Sequence, residues 1–258
     1  MKNLKLFIKN KKIELFRKFV HKFFSKNYTL KKKDYFNWLN VNSKDLSQIC
    51  KSVDSNLWKK AIDFQNNVIL KKKNMCKKSV DKVYICRGGT EFLYFVTLLK
   101  KPEVIVETGV GLGFSSLAFL SGINENKRGI LYSSDLPYVK YKNSENKIGY
   151  VVDKELKKNW KLYINGDLTN LKHITKFFNK IDIFHYDSDK TYSGVSKTFN
   201  YLKKYFNDDA ILVFDDLLDH TFFYDLVNSN NYKYWGIYKY KNTGFIGFIG
   251  NLTKKYKI

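Results

Sequence analysis

Arginine is nearly missing from this sequence. Of its 47 basic residues only Arg17, Arg87 and Arg128 are arginine, and 47 less those three leaves 44 lysines. Sequence-specific readers of nucleic acid lean on the planar guanidinium fork, and three arginines are too few to build one. Cysteine is scarce as well. Cys50, Cys76 and Cys86 are odd in number and form no CxxC pair, which argues against a disulfide framework and a cysteine zinc site and makes a reducing cytoplasm the expected compartment. No apolar run reaches the roughly 18 residues that a membrane span needs, so no integral membrane association is expected. The first residues hold no unbroken apolar segment ending in small residues, so no secretory signal is expected either.

What is abundant sets the class. The chain has 258 residues, 44% hydrophobic and 17% aromatic, enough for one large core and too apolar for disorder. Lysine, asparagine, isoleucine, tyrosine and phenylalanine are the residues an AT-rich genome favours. The formal charge of +23 therefore reads first as bias on a solvated surface. Its functional consequence is a positive field that draws anionic small molecules.

Residues 1–80 read as a helical extension. "IELFRKFVHKFF" places Ile13, Phe16, Val20 and Phe23 on one helical face, and "KDLSQICKSV" and "NLWKKAIDFQNNVIL" repeat the pattern. The lysine triplets Lys31–Lys33 and Lys71–Lys73 read as solvated turns or helix ends. Residues 81–258 alternate strands with helices. "EVIVETG", "GILYSSD", "WKLYINGD", "IDIFHYD" and "AILVFDD" are short β-branched or aromatic runs separated by helical stretches. That alternation predicts βαβ units, hence an α/β fold with a Rossmann-like, doubly wound, mostly parallel sheet. "YKYWGIYKY" and "TGFIGFIG", joined by "KNTG", predict a closing hairpin with one antiparallel strand, for seven strands in all.

"VIVETGVGLGFSS" runs strand, glycine loop, helix. Gly109, Gly111 and Gly113 allow a tight turn and a close approach of backbone to ligand. The spacing is neither the GxGxxG of a dinucleotide fingerprint nor the Gly-Lys-Ser/Thr ending of a phosphate loop. Glu107, two residues ahead, would repel a pyrophosphate and suits a cationic or amino-bearing ligand. Asp135 ends the next strand, where an acid can accept hydrogen bonds from both hydroxyls of a ribose. Asp167 ends the strand after that. Such acids can be helix caps one by one. As an ordered set on the carboxyl edge of an open α/β sheet they mark a ligand site.

"VETGVGLGFSS", Asp135, "NGD" and "DSDKTYSG…LVFDD" together resemble a class I S-adenosylmethionine-dependent methyltransferase, and among these the small-molecule O-methyltransferases that use a divalent metal. The likeness spans roughly residues 85–250. It implies that Glu107, Thr108, the Gly109–Gly113 loop and Ser115 hold the methionine part of S-adenosylmethionine, that Asp135 holds the ribose and that Asp167 lies near the adenine.

Asp187 ends "IDIFHYD", and Asp215 and Asp216 end "AILVFDD". If those strands are neighbours, three carboxylates converge and repel unless a positive charge sits among them. A hard cation such as Mg²⁺ is the simplest answer, and the resemblance makes Asp187, Asp215 and Asp216 its ligands. The metal would lower the pKa of a substrate hydroxyl. Lys190, three residues after Asp187, is the first candidate base, provided its pKa is lowered, and His220 is the second. Sugar-modifying relatives look like Asp-x-x-His at this place and aromatic ones like Asp-Ala-Asp-Lys; this chain has Asp-Ser-Asp-Lys. Asp189 and Asp219 read as turn formers, and His185, inside an apolar strand, as a packed core residue. Lys190 has the plainer reading of an ion-pair partner.

The resulting expectation is a metal-assisted O-methyltransferase acting on a hydroxyl of a small anionic molecule, a sugar or nucleotide-linked sugar for preference. The alternatives are a catechol or phenol acceptor, an RNA methyltransferase lacking any visible arginine-rich patch, and a non-catalytic membrane- or partner-binding protein that would have no need of these acids. A homo-oligomer stays open.

Overall fold

The computed structural model describes residues 30–79, 89–137, 144–229, 232–240 and 244–253. The segment around Ile13 to Phe23 with His21, the residues Cys86 and Arg87, and the hairpin turn at 241–243 lie outside them.

The first half opens with helices α1 (Lys32–Asn42), α2 (Leu46–Val53), α3 (Ser55–Phe64), α4 (Leu70–Ser79) and α5 (Thr90–Lys100), with a two-residue strand β1 (Ser43–Lys44) after α1. A π-helical turn, Gln65–Ile69, joins α3 to α4. Asp45 and Asp54 accept hydrogen bonds from first-turn amides and so cap α2 and α3. Then follow β2 (Val104–Thr108), α6 (Phe114–Asn126), β3 (Ile130–Ser134), β4 (Trp160–Tyr163), α7 (Asp167–Ile174), β5 (Ile181–Tyr186), α8 (Tyr192–Leu202), β6 (Phe206–Phe214), α9 (Phe222–Ser229), β7 (Trp235–Tyr240) and β8 (Gly244–Ile249).

Among the described residues one sheet carries eight strands in the order β1-β7-β8-β6-β5-β2-β3-β4, and of these only β8 runs antiparallel, to β6 on one side and β7 on the other. The sequence anticipates β2 to β8. The eighth strand, β1, pairs through Ser43 and Lys44 with Ile237 and Tyr238 of β7, and two residues are too short to show any alternation. The helix Lys32–Asn42 and the helix Phe222–Ser229 are likewise invisible to the periodicity argument.

Consecutive strand residues alternate between two apolar layers. Ile105, Ile183 and Val213 face one, with Phe92, Phe95, Leu117 and Phe119 of α5 and α6; Val106, Phe184 and Phe214 face the other, with Leu171, Val195, Phe199 and Phe223. Each such buried side chain contributes roughly 2 kcal/mol. The early helices join both layers. Cys50, Trp58 and Phe64 enter the first; Tyr35 and Leu39 enter the second, where Tyr35 Oη donates to the Leu217 carbonyl at 2.7 Å. Among the described residues no helix is long and apolar enough to cross a membrane.

The lysine triplets do not behave as paired signals. Lys32 and Lys33 open α1 at its N-terminus, a helix end as read from the sequence. Lys71–Lys73, read from sequence as a solvated turn or helix end, lie within α4. Lys72 there pairs with Asp153, and Lys73 is buried. Tertiary partners, which spacing cannot show, decide this difference.

Candidate active site

β3 and β4 lie on one side of β2, whereas β5 and β6 lie on the other. The winding reverses between β2 and β5, and that crevice at the carboxyl ends is where open α/β sheets bind ligands. The chain leaves β2 through the glycine loop and leaves β5 through Asp187. The two exits are stitched together by Asp187 N, which donates to the Thr108 carbonyl at 2.8 Å; Gly109 N ties the loop to the end of β3, donating to the Ser134 carbonyl at 2.8 Å.

The loop has room for a ligand. Gly109, Gly111 and Gly113 all have positive φ, 84°, 54° and 89°, a region costly for a side chain. A Cβ placed on Gly111 would meet nothing within 4 Å, so the backbone there faces open space. Asp135 stands across it. Its Oδ2 accepts from Val110 N at 3.2 Å and Gly111 N at 2.9 Å, and its Oδ1 accepts from Leu136 N. Burial pushes its pKa up to about 6 despite these bonds. Asp167 opens α7. Its two carboxylate oxygens accept from the hydroxyls of Ser134 at 2.8 Å and Ser188 at 2.5 Å. Ser115 sits nine-tenths buried in the first turn of α6. Thr108 is fully buried with its Oγ1 lacking a hydrogen-bond partner. The glycine loop and Asp135 thus meet directly, and Asp167 reaches this edge through Ser134 and Ser188.

Glu107 stands elsewhere. Strand alternation turns its side chain beneath the loop, where it is 0% exposed. Oε2 accepts from Ser116 Oγ at 2.6 Å and Ser133 Oγ at 2.8 Å, and Oε1 lies 3.7 Å from His185 Nδ1. The carboxylate therefore does not line the open side of the loop, and its expected direct contact with the ligand gives way to support from below. His185 is the core residue expected, with its ring against Phe119. Burial works against its charge, but Glu107 outweighs that and raises its pKa.

The far strands bring Asp187, Lys190, Asp215 and Asp216 together. Lys190 Nζ donates to Asp187 Oδ1 and lies 2.8 Å from Asp216 Oδ2. Asp216 takes a left-handed turn, φ 51°, which an aspartate tolerates. Tyr240 Oη donates to Asp216 Oδ1 at 3.4 Å, a contact the sequence reading missed although Tyr240 ends β7. Burial opposes the ammonium of Lys190, but the two carboxylates prevail and hold its pKa well above the usual lysine value. Burial, then Asp187 and Asp216, push Asp215 up to about 7.

The three carboxylates offer the hard oxygen donors a divalent cation prefers. In this arrangement, however, an ammonium already stands between two of them. No group of three or more His, Cys, Asp or Glu side chains is arranged to hold a metal ion among the described residues. The residues as placed do not fit a metal centre; the positive charge that the acids require is Lys190.

His220 follows the turn after Asp216 and is 4% exposed, with no hydrogen-bond partner on Nδ1. Burial pushes its pKa down to about 4, and the charge of Lys190 adds to that. Asp189 takes the structural part foreseen for it, its Oδ1 accepting from Thr191 N at 3.0 Å ahead of α8.

Comparison with known proteins agrees with this geometry. Residues 106–217 match the family described as "Methyltransferase domain". No curated protein matches the sequence. Among solved structures, the O-methyltransferase from Bacillus cereus in complex with S-adenosylhomocysteine superposes with a TM-score of 0.53 at 14% identity, covering 83% of this chain and 100% of that one. The O-methyltransferase TomG from Streptomyces achromogenes, in complex with S-adenosylmethionine, gives 0.51 at 11% identity, covering 73% and 94%. The Podospora anserina methyltransferase PaMTH1, bound to S-adenosylhomocysteine, gives 0.50 at 14%, covering 77% and 96%. Residues 106–217 are thus similar to the methyltransferase domain family, and the chain shares the Rossmann-like fold of the methyltransferase structures it superposes on.

Proposed function

We propose that this protein binds S-adenosylmethionine in the glycine-loop crevice and transfers its methyl group to a hydroxyl of a small molecule. The observation that carries the reading is the juxtaposition at the β2/β5 switch point. An open loop at Gly111, faced by Asp135, abuts a charged cluster of Asp187, Lys190 and Asp216.

S-adenosylmethionine supplies an electrophilic methyl group on a sulfonium. The chain must place an acceptor oxygen beside it and take the proton from that oxygen. Lys190 cannot be the acceptor of that proton, since Asp187 and Asp216 keep it charged. It is suited instead to hold a developing oxyanion by charge. His220 is the remaining candidate base: it is neutral above about pH 4, which leaves it free to accept a proton though it makes it a weak base, and its Nδ1 is unpartnered. Neutral imidazole beside an ammonium is the reverse of the order of preference drawn from sequence. Asp135 accepts from the ribose hydroxyls in this reading, exchanging its present bonds to Val110 and Gly111 for them. Asp167 keeps Ser188 and Ser134 in place near the adenine end.

The acceptor carries hydroxyls, and the positive field of the chain favours an anionic one such as a nucleotide-linked sugar; a catechol is the second reading, since Asp-Ser-Asp-Lys resembles the aromatic enzymes. The oxygen donors Asp187, Asp215 and Asp216 could receive a divalent cation only by displacing the Lys190 ammonium, so the geometry favours lysine as the resident cation.

The test is a methyl-transfer assay with nucleotide sugars, catechols and RNA as acceptors, with and without EDTA. Transfer to a hydroxylated small molecule that survives chelation is expected. Activity lost to EDTA and restored by Mg²⁺ would overturn the lysine reading in favour of the metal. Transfer to RNA alone would overturn the acceptor class, and absence of any affinity for S-adenosylhomocysteine would overturn the cofactor.

A further inference from the structure

Strand β7 buries a tyrosine hydroxyl. Tyr238 is 0% exposed, and its Oη has no hydrogen-bond partner among the described residues. A buried donor left unpaired is costly, and a phenylalanine would avoid that cost. The ring packs on Phe92, with centroids 5.2 Å apart. The oxygen lies against the start of α5: a Cβ built on Gly89, the N-cap of that helix, would stand 3.3 Å from it. Glu91 stands in the first turn of the same helix. Its buried Oε2 is likewise without a hydrogen-bond partner among the described residues. Burial first, then the charges of Glu91 and Asp215, hold the Tyr238 pKa well above the usual tyrosine value. The hydroxyl therefore keeps its proton and remains a donor.

This donor and this carboxylate border the charged cluster. Tyr238 and Tyr240 are two residues apart on β7 and so share one face of the sheet. Tyr240 Oη reaches Asp216 Oδ1, and both tyrosines pack in the layer that holds α5. The helices before α5 arrive at the same place. Thr90 Oγ1, beside Glu91, donates to Gln65 Oε1 at 2.6 Å, and Gln65 opens the π-helical turn between α3 and α4. Such turns are rare and frequently accompany functional sites.

We infer that Tyr238 and Glu91 recognise a second hydroxyl of the acceptor, one that is not methylated, which donates to Glu91 Oε2 and accepts from Tyr238 Oη. A hydroxyl suits both, because it carries one donor and two lone pairs. An ammonium has no lone pair for Tyr238, and an ether or carbonyl has no proton for Glu91. The site thereby selects a polyhydroxylated acceptor, a sugar, over a catechol, whose two hydroxyls are adjacent and both stand at the methyl-transfer end. The inference rests on the reading of the Asp187, Lys190 and Asp216 cluster as the acceptor end of the active site. It gives residues outside 106–217 a part in choosing the acceptor.

The test is a methyl-transfer assay on the full chain with UDP-glucose, GDP-mannose and catechol, comparing the wild type with Tyr238→Phe, which keeps the ring and removes one oxygen. The wild type should methylate a nucleotide sugar with a higher kcat/KM than catechol. In Tyr238→Phe the kcat/KM for that sugar should fall roughly 3- to 10-fold, the range for a neutral hydrogen bond. Affinity for S-adenosylhomocysteine, read by calorimetry, should stay within about twofold. The urea midpoint should hold or rise, since an unpaired buried hydroxyl is gone. Glu91→Gln, which removes the charge, should cost the sugar at least as much, and it carries the comparison if Tyr238→Phe lowers the midpoint. Among monodeoxy forms of the preferred sugar, one should react with the wild type as slowly as the parent sugar does with Tyr238→Phe, and lose nothing further in the variant. Unchanged kcat/KM for the sugar would leave the hydroxyl without a part in recognition, and equal losses on the sugar, all its monodeoxy forms and catechol would make Tyr238 a packing residue; either overturns the inference. A wild type that prefers catechol overturns the substrate class. A wild type that binds S-adenosylhomocysteine but methylates none of these acceptors sinks the acceptor reading and this site with it, whereas absence of that affinity sinks the cofactor reading on which both depend.

Discussion

Gly109 lies against the backbone of Asp187. A Cβ built on Gly109 would stand 2.2 Å from the Asp187 carbonyl oxygen and 2.5 Å from its carbonyl carbon. The glycine loop and the turn that begins the charged cluster are thus in van der Waals contact across the switch point of the sheet. Nothing larger than glycine fits between them, so the distance from the glycine loop to the charged cluster is fixed by one missing methyl group.

Gly109→Ala should therefore fail on two counts. The residue sits at φ 84°, and its new methyl would collide with backbone, which cannot swing away as a side chain can. A loss of roughly 2 kcal/mol or more in stability is expected from strain and overpacking, read as a lower urea midpoint. Affinity for S-adenosylhomocysteine should fall with it. A variant with the wild-type midpoint and affinity would show that the two turns are not rigidly coupled.

Asp135→Ala removes the acceptor that faces the loop. Its Oδ2 now holds the amides of Val110 and Gly111, and in the proposed complex it turns to the ribose. Cofactor affinity should drop roughly 10- to 100-fold. The check is titration calorimetry. Unchanged affinity would place the ribose elsewhere.

His220→Ala tests the base. We expect kcat to fall about 100-fold or more, with S-adenosylhomocysteine affinity nearly unchanged. The wild-type pH profile is a second readout. With a base whose pKa lies at about 4, the rate should already have levelled off at neutral pH. A rate that climbs steadily into the alkaline range would instead point to Lys190 losing its proton.

Asp215 gives a pH-dependent stability with a definite sign. Burial and the neighbouring carboxylates raise its pKa from 3.8 to about 7. Between those values the folded protein keeps a proton that the unfolded chain has released. Its contribution to stability therefore falls as pH rises through that window. Asp215→Asn removes the titration, so the variant should gain on the wild type when denaturation is compared at about pH 5 and about pH 8. A stability difference that stays constant between the two would mean that Asp215 ionises at its ordinary pKa in the folded protein.

Strands β2 to β8, the glycine loop and the strand-end acids were legible without coordinates, because each is a local matter. Alternation of apolar residues marks a strand, a tight positive-φ turn favours glycine, and an acid after a strand must sit on the carboxyl edge. Those elements pointed to a ligand site on an open α/β sheet, and the motifs they carry supplied the resemblance to the class I methyltransferases. Strand β1 and the bounds and docking of the helix Lys32–Asn42 within the helical extension were not legible, since a two-residue strand and a weakly patterned helix are held by Ile237, Tyr238 and Leu217 far along the chain.

What the tertiary structure alone decided is the state of each charged group. Lys190 and Asp187 are three residues apart in any reading of the sequence, but that Lys190 also meets Asp216, and so stays an ammonium rather than a base, depends on the pairing of β5 with β6. Glu107 looked like a ligand contact by its place before the loop, and the twofold alternation of its strand sent it to Ser116 and Ser133 instead. Lys73 looked like a solvated lysine in a triplet, and packing of α4 against α6 buried it over Phe114. Spacing along a chain fixes which residues share an edge. Charge and proton affinity depend on burial and on distances of a few ångströms between distant segments, and only the folded chain supplies those.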